Sequence, residues 1–346
     1  MIRISPAVFA ELDGSIEGVR RALQTAIELE HSTIPPYLYA LYSLRPDALT
    51  AERNLEVYEL LRSVVLEEML HMTSACNILN AIGGSPLIDD PRFIPSYPGH
   101  LPGTVEGELV VGLRKFSLEI AQNTFMTIEE PEVPIPIPVK ALAKPLTIGA
   151  FYRKIKQQLV ELGDAIFTGD PRKQILHPLM PNALNKVTDV ASALQAIDLI
   201  VEQGEGTTTS PFGLKDELAH YYRFAEIVHG KRIIPVADPE PGKPPFAYGG
   251  AAIPFDPAGV WPVIDDPKVS AYTQGSTERI ACDQFNYTYT AILKALHLTV
   301  NGEPQRIADA VGLMESLRSQ AMDMMALPLQ GGKNAGPTFE YLAVLP

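Results

Sequence analysis

Glutamate and histidine stand three residues apart at several places in the sequence, in the pattern Glu-x-x-His. Three residues is slightly less than one turn of an α-helix, so both side chains of such a pair lie on one helix face and can bind one metal ion between them. The pairs are Glu28/His31, Glu68/His71, Glu217/His220 and Glu226/His229. Burying a carboxylate without a partner is costly, so a pair on a buried helix face indicates a metal site.

Glu68 and His71 lie on a helix whose buried side can be read from the sequence. Residues 51–83 carry apolar side chains three and four positions apart, and Glu68 continues this stripe with His71 at its edge. Glu67 points about 100° away from Glu68, so it is either solvated or supports the ligands from outside. The stretch VLEEMLHM therefore predicts a ligand pair inside a buried helix.

A long helix is also predicted at residues 13–45, and the short turn that follows it makes the two helices antiparallel neighbours. Glu30 continues the apolar stripe of this helix, whereas Glu28 points away, so the first Glu-x-x-His is interpreted as incidental. Pro35 and Pro36 predict a break or kink just past Glu30, or the start of a separate helix.

The second inward pair is predicted on a core helix from about Leu214 to Gly230. Glu217 continues the apolar stripe of this helix, and His220 lies beside it. Glu226 follows nine residues later, which places it on the opposite face. Glu226 and His229 are therefore predicted to be solvated.

One more glutamate is expected from the helix predicted at residues 187–204. Glu205 extends the apolar stripe of that helix, whereas Glu202 lies about 80° off the line and is the alternative. Both could take part, and Glu161 on a helix predicted at 147–164 is a weaker candidate.

The predicted centre combines four carboxylates and two imidazoles. Four negative charges balance two divalent ions, which removes the cost of burying the carboxylates. Oxygen and nitrogen ligands without thiolate suit iron or manganese better than structural zinc. We therefore expect two metal ions, iron first and manganese second, and we assign neither a catalytic residue nor a site for an organic cofactor. The predicted ligands are Glu30, Glu68, His71, Glu205 (alternatively Glu202), Glu217 and His220.

Several polar rings lie close to these positions in the sequence. They either hydrogen-bond the ligands and orient them or are ordinary buried aromatic residues. These residues are His31, Tyr37, Tyr39, Tyr221 and Tyr222.

The arrangement of predicted helices indicates an all-α protein built on a helical bundle. We predict a metal-binding bundle at residues 1–235, interrupted by a long Pro-rich crossover at 85–146. Residues 236–346 begin with a Pro/Gly-rich segment and end with two further helices that pack on the bundle, at about 277–298 and 304–326.

Composition excludes several classes of partner. The chain of 346 residues has 28 basic and 41 acidic side chains, a net charge of −13, and no basic stripe, so no nucleic-acid partner is expected. No apolar run is long enough to cross a membrane, and the N-terminus resembles no signal peptide. Cys76 and Cys282 fit no metal or redox spacing and are interpreted as core residues in a reducing compartment. A cytoplasmic protein is expected.

The segments ELEHSTIPPYLYALYSL, EEMLHMTSACNILNAIGGSP, TIGAFYRKI, VEQGEG, LAHYYRFAEI and GPTFEY resemble the iminophenyl-pyruvate dimer synthase family. The order of glutamates and Glu-x-x-His pairs over residues 13–230 resembles the ferritin-like superfamily, to which that family belongs. The resemblance implies a ferritin-like four-helix bundle with a long crossover and a C-terminal helical extension. The pathway enzymes of that family also carry a region associated with haem, and no CxxCH motif occurs in this sequence.

The resemblance implies a function in secondary metabolism, the oxidative coupling of arylpyruvate imines. We expect a non-haem diiron oxidoreductase that uses dioxygen or peroxide on a small, aromatic substrate, either as a monomer or as a homo-oligomer. The alternative is an iron-binding protein that oxidises Fe(II) or removes peroxide without an organic substrate.

Overall fold

The computed structural model describes residues 2–105, 109–132, 146–176, 184–206, 210–213, 217–239 and 245–345. The helices in these ranges are α1 (Pro6–Glu11), α2 (Ile16–Tyr42), α3 (Pro46–Thr50), α4 (Leu55–Ala81), α5 (Leu118–Ile120), α6 (Met126–Ile128), α7 (Ile148–Leu162), α8 (Val190–Glu205), α9 (His220–His229), α10 (Thr277–Val300) and α11 (Ile307–Met325). A π-helical turn, Ala121–Phe125, joins α5 to α6. Strands β1 (Lys231–Pro235) and β2 (Phe246–Ala252) form an antiparallel pair.

Helices α2 and α4 form the centre of the molecule and pack along each other over much of their length. Ser15 starts α2 by accepting a hydrogen bond from the Gly18 amide at 3.0 Å. Apolar side chains from both helices are almost fully buried, among them Leu23, Ile27 and Leu61. The prediction of two long antiparallel helices is confirmed.

Pro35 and Pro36 lie inside α2, which continues to Tyr42, so the expectation of a break or of a separate helix is wrong. Proline lacks the N–H that would bond to the carbonyl four residues earlier, and Pro36 therefore leaves the Ser32 carbonyl without its helical donor. The Tyr97 hydroxyl donates to this carbonyl at 2.7 Å. A residue far away in the chain thus supplies the hydrogen bond that the helix lacks.

Helices α7 and α8 complete the bundle with α2 and α4. Helix α8 packs against α4 and α7, and α7 also reaches α2. Asp189 and Ser192 form a reciprocal cap at the start of α8, which ends at Glu205. The helix predicted at 147–164 therefore occupies the place that we expected for the helix at 214–230.

Helix α9 is shorter than predicted and begins at His220 instead of Leu214. Before it, Phe212 pairs with Leu218 in an antiparallel bridge, and the Ala219 amide donates to the Pro211 carbonyl at 3.0 Å. The predicted start of the helix, at residues 214–216, lies outside the described residues. Pro211 and Gly213 are poor helix formers, which is consistent with a helix that starts after them.

The C-terminal part packs on the outer side of α2 and α4. Helices α10 and α11 lie against each other and contact α4 and α2, respectively. Strand β2 lies in the Pro/Gly-rich segment after residue 235, and β1 lies immediately before that segment. This small antiparallel pair is an addition to the predicted all-α fold, which is confirmed. Within the described ranges, no helix is both long enough and apolar enough to span a membrane.

Candidate metal centre

A cavity of about 40 Å³ lies between α2, α4, α7 and α8. Apolar side chains such as Leu29, Ile148 and Ile200 form part of its wall. Its polar lining consists mainly of acidic and imidazole groups, namely Glu30, Glu68, His71, Glu129 and Glu205, with Thr33 and Tyr152. This volume holds a few atoms of water size, so the cavity has the dimensions of an ion site.

His71 is held with one nitrogen towards the carboxylates. Its Nε2 lies 3.0 Å from Gln203 Oε1, and the Gln203 amide nitrogen lies 3.4 Å from Glu217 Oε2. An ionised carboxylate only accepts hydrogen bonds, so Gln203 turns its NH₂ to Glu217 and its carbonyl to the ring. His71 Nε2 is therefore the donor, and Nδ1 faces Glu30 Oε2 at 3.6 Å and Glu68 Oε1 at 3.8 Å.

His220 is held in the same manner from the other side. Its Nε2 donates to Glu67 Oε2 at 3.0 Å, and its Nδ1 lies 2.9 Å from Glu68 Oε1 and 3.6 Å from Glu129 Oε2. The two imidazole rings are 5.3 Å apart between centroids and inclined by 25°. In both residues the outer partner selects the tautomer and leaves Nδ1 for the centre.

Carboxylate oxygens and imidazole nitrogens that could bind a metal lie close together in the centre. Ligand atoms of Glu68, His71 and His220 all lie within 4.8 Å of each other. His220 Nδ1 is buried and, among the described residues, has no hydrogen bond of acceptable geometry despite its short distance to Glu68. In the neutral ring this nitrogen presents a lone pair to carboxylate oxygens, which is repulsive unless a cation lies between them. The residues therefore fit a metal ion.

The pKa values reflect the same crowding. Burial, and then the charge of Glu129, raise the pKa of Glu68 to about 7. Burial alone lowers the pKa of His71 and of His220, but the surrounding carboxylates outweigh it and raise both. Without a metal, protons on these groups supply the missing positive charge, and metal binding must displace them.

Glu67 and Arg223 form a buried ion pair behind His220. Arg223 donates through Nη1 to Oε1 at 2.8 Å and through Nη2 to Oε2 at 2.9 Å. Burial raises the pKa of Glu67, but His220 and Arg223 outweigh this effect and lower the pKa to about 2. The expectation of a solvated Glu67 is wrong, because its exposed fraction is 5%; the carboxylate instead accepts from His220 Nε2.

Hydroxyl groups also hold the cavity carboxylates in position. Tyr37 donates to Glu129 Oε1 at 2.5 Å, and Thr33 donates to Glu68 Oε2 at 2.8 Å. Tyr152 donates to Glu30 Oε1. These bonds fix the orientation of three acidic side chains before any ion binds.

The other polar rings that we considered lie elsewhere. His31 is hydrogen-bonded to Tyr289 at 2.8 Å, and Tyr39 donates to the Ile264 carbonyl at 2.5 Å. Tyr221 and Tyr222 contact each other edge to face in a separate cluster beside the strands. Among the five rings, Tyr37 hydrogen-bonds a cavity carboxylate.

The structure brings five of the six predicted ligands to this centre. Glu205 lines the cavity and accepts from the Gly149 amide at 3.1 Å, whereas Glu202 is absent from the lining. Glu217 is exposed and precedes α9, so the prediction that it faces inward on a helix is wrong. It approaches His71 through Gln203 instead of entering the cavity. The assignment of these residues as metal ligands stays a prediction.

The structure places one further carboxylate, that of Glu129, at the cavity, and it buries one glutamate, Glu226, that was predicted to be solvated. Glu129 follows α6 in the segment predicted to be a crossover, where no helical periodicity marked it, and its one sequence signal is its place after a short helix. Glu226 was predicted to be solvated but is 2% exposed, because it accepts from Arg232 and from the Ile233 amide. His229 is exposed, as predicted, and its ring stacks on Tyr248.

Comparisons with known proteins agree with this arrangement. Residues 23–229 match the sequence profile of the family described as Ferritin-like. Dichlorochromopyrrolate synthase of Lentzea aerocolonigenes is 25% identical over an alignment of 386 positions, which covers 92% of this chain and 35% of that protein. The chain thus spans about a third of the length of this relative. The crystal structure of a ferritin-like protein from Caulobacter vibrioides has a TM-score of 0.61 and 23% identity, covering 95% of this chain and 99% of that chain. At this identity the likeness is one of fold.

Proposed function

Because this chain belongs to the ferritin-like family, we propose that it is a non-haem, metal-dependent oxidoreductase with two metal ions in the cavity between α2, α4, α7 and α8. Iron is the first choice and manganese the second, since the donors are carboxylate oxygen and imidazole nitrogen without thiolate. The substrate is a small organic molecule oxidised with dioxygen or peroxide.

The observation that carries the proposal is the convergence of imidazole Nδ1 atoms and buried carboxylates on one small cavity. Arg223 neutralises Glu67, which leaves four acidic side chains at the cavity wall. Four carboxylates balance two divalent ions. In this proposal Glu129 takes the place that we predicted for Glu217. The proposed ligands are Glu30, Glu68, His71, Glu129, Glu205 and His220.

The protein groups around the ions have separate roles. Bound iron or manganese would supply the redox chemistry needed to reduce dioxygen or peroxide. Gln203 and Glu67 accept hydrogen bonds from Nε2 of the two histidines and so direct Nδ1 inward, where a bound metal would displace any proton on it. Tyr37 and Tyr152 hold protons at the outer oxygens of Glu129 and Glu30. The apolar wall excludes bulk water, which strengthens each of these interactions.

The chemical class of the substrate rests on similarity. The relative is named a dichlorochromopyrrolate synthase, and the sequence resembles the enzymes that couple arylpyruvate imines. We propose an arylpyruvate imine or a related aromatic molecule as the substrate. We call the cavity between α2, α4, α7 and α8 the metal cavity. Its volume of about 40 Å³ has no room for such a molecule, so the substrate would bind beside it.

The same small volume favours a second candidate function. Fe(II) and peroxide fit a cavity of this size without an adjoining substrate site. The alternative is therefore a protein that oxidises Fe(II) or removes peroxide.

Metal analysis of the purified protein is the first test. We expect bound iron or manganese, and we expect Glu68→Gln and His220→Ala to lose most of it. Matched controls are Glu59→Gln, an exposed glutamate of α4, and His229→Ala, the exposed histidine of α9. Protein that binds no iron or manganese after anaerobic loading would refute the proposed centre.

Oxygen consumption after anaerobic Fe(II) loading separates the two functions. Uptake that depends on an arylpyruvate imine and continues over many turnovers supports the oxidoreductase. Uptake that stops in proportion to the added Fe(II), and that no arylpyruvate imine changes, assigns the alternative function.

A further inference from the structure

A second cavity, of about 120 Å³, lies on the other side of α2 and α4, where these helices face α10 and α11. Its wall is built mainly of aliphatic and methionine side chains, such as Leu38, Leu70, Ile292 and Leu293. It shares no described lining residue with the metal cavity. Met69 and Met314 in its wall are half-buried, so it extends towards the surface.

His31 is the unusual group in this apolar wall. Its Nε2 lies 2.8 Å from the Tyr289 hydroxyl, and its ring packs on Phe93 with centroids 4.4 Å apart. The exposed fraction of His31 is 3%, and Nδ1 has no hydrogen-bond partner among the described residues. Leaving such an atom unpaired costs about 1–3 kcal/mol, which a ligand with a suitable polar group would offset.

The ring of His31 defines the polar group that it can bind. The described lining of this cavity contains no carboxylate that would stabilise an imidazolium, so the buried ring is neutral. If Tyr289 donates to Nε2, then Nδ1 carries the proton and is a donor; in the other tautomer Nδ1 is an acceptor. A hydroxyl group satisfies either tautomer, since it can both accept and donate. The Thr73 hydroxyl is already bonded to the Met69 carbonyl at 2.8 Å and does not compete.

We propose that this cavity binds a neutral aromatic molecule of a single ring with one hydroxyl group. The ring would lie among the aliphatic side chains, and the hydroxyl would bond to His31 Nδ1. Apolar cavities of about 150 Å³ bind benzene, so the volume here suits one ring. The described lining contains no lysine or arginine, and a carboxylate would be buried there without a cation. The site is therefore distinct from any that binds an anionic arylpyruvate, and the proposal does not depend on the metal centre.

Calorimetric titration of metal-free protein with phenol and with toluene tests the proposal. The two probes have nearly the same shape, and the hydroxyl is the difference between them. We expect saturable binding of one phenol per chain, about three- to tenfold tighter than that of toluene. His31→Phe keeps a ring against Phe93 but removes the hydrogen bond, so it should abolish the preference for phenol.

Two substitutions of the same kind on α10 locate the bound probe. Leu293→Phe fills the cavity and should weaken the binding of both probes by at least about tenfold. Leu298→Phe makes the same change at an exposed position of the same helix and should leave binding unaltered. Absence of saturable phenol binding, equal affinities for the two probes in the natural protein, or undiminished binding in Leu293→Phe would each overturn the proposal.

Discussion

Glu205 offers a quantitative test of charge crowding in the metal cavity. It is the last residue of α8, its side chain lines the cavity, and it accepts from the Gly149 amide. Burial, and then the negative charge of Glu132, raise its pKa from 4.5 to about 7. Glu205→Gln keeps the size and the acceptor oxygen of the side chain and removes its charge.

The shift predicts a pH-dependent gain in stability for the metal-free variant. Since the folded protein binds this proton more tightly than the unfolded chain, the natural protein loses stability as pH rises from 4.5 through 7. The full shift corresponds to about 3 kcal/mol. Glutamine does not titrate, so Glu205→Gln should equal the natural protein in unfolding free energy near pH 4. It should be about 2–3 kcal/mol more stable at pH 8.

Urea unfolding in the presence of a chelator, at pH 4 and at pH 8, measures this difference. A variant that is less stable than the natural protein at pH 8, or whose difference does not change with pH, would refute the argument that the uncompensated charge of Glu205 is destabilising. Metal content is measured in parallel. Glu205→Gln should bind less metal, whereas Glu202→Gln, three residues earlier on α8 and outside the cavity lining, should bind the normal amount.

Three further outcomes follow from buried contacts. Arg223→Met removes the cation that pairs with buried Glu67 and should lower the unfolding free energy by about 3–5 kcal/mol in urea titrations, with Glu67→Gln in the same chain recovering part of the loss. Tyr97→Phe removes the donor to the Ser32 carbonyl and should cost about 1–3 kcal/mol by the same measurement. Burial raises the pKa of Cys76, so its thiol should react with Ellman's reagent in urea-unfolded protein and not in folded protein.

The core of the site was predictable because α2 and α4 obey a local rule. Each helix has an apolar stripe with the helical period, and the charged residues that continue the stripe must be buried. Glu30, Glu68 and His71 were located in this way, and the structure places all three at the cavity. For a helix that packs along the core, the apolar period of that one segment is enough to show which of its charged residues are buried.

His220 shows the limit of the same rule. It was selected as the partner of Glu217 on a helix, yet α9 begins at His220 itself and Glu217 lies outside the helix. The ring reaches the centre because Glu67, from α4, holds its Nε2. The spacing therefore selected a residue that does reach the centre, although the shared helix face with Glu217 on which the selection was based is not formed.

Long-range contacts account for what the sequence could not show. Glu129 lines the cavity, and the Tyr37 hydroxyl from α2, which is distant in the sequence, donates to it. Pro36 is tolerated within α2 because Tyr97 reaches the Ser32 carbonyl. Neither contact leaves a periodic signal in the segments that form it, so no rule based on one segment could have located them.

The adjacent glutamates of VLEEMLHM, Glu67 and Glu68, lie in two different electrostatic environments. Glu67 and Glu68 point in directions about 100° apart, and His220 contacts both, through Nε2 and Nδ1 respectively. Arg223 compensates Glu67, so that carboxylate is stable without a metal and accepts from His220 Nε2 in either case. Glu68 faces other acidic groups, and its pKa is raised to about 7. Glu67 can therefore orient His220 with or without a metal, whereas the charge of Glu68 needs a proton or a bound cation, and this difference suits the two residues to the separate roles that the proposed metal centre gives them.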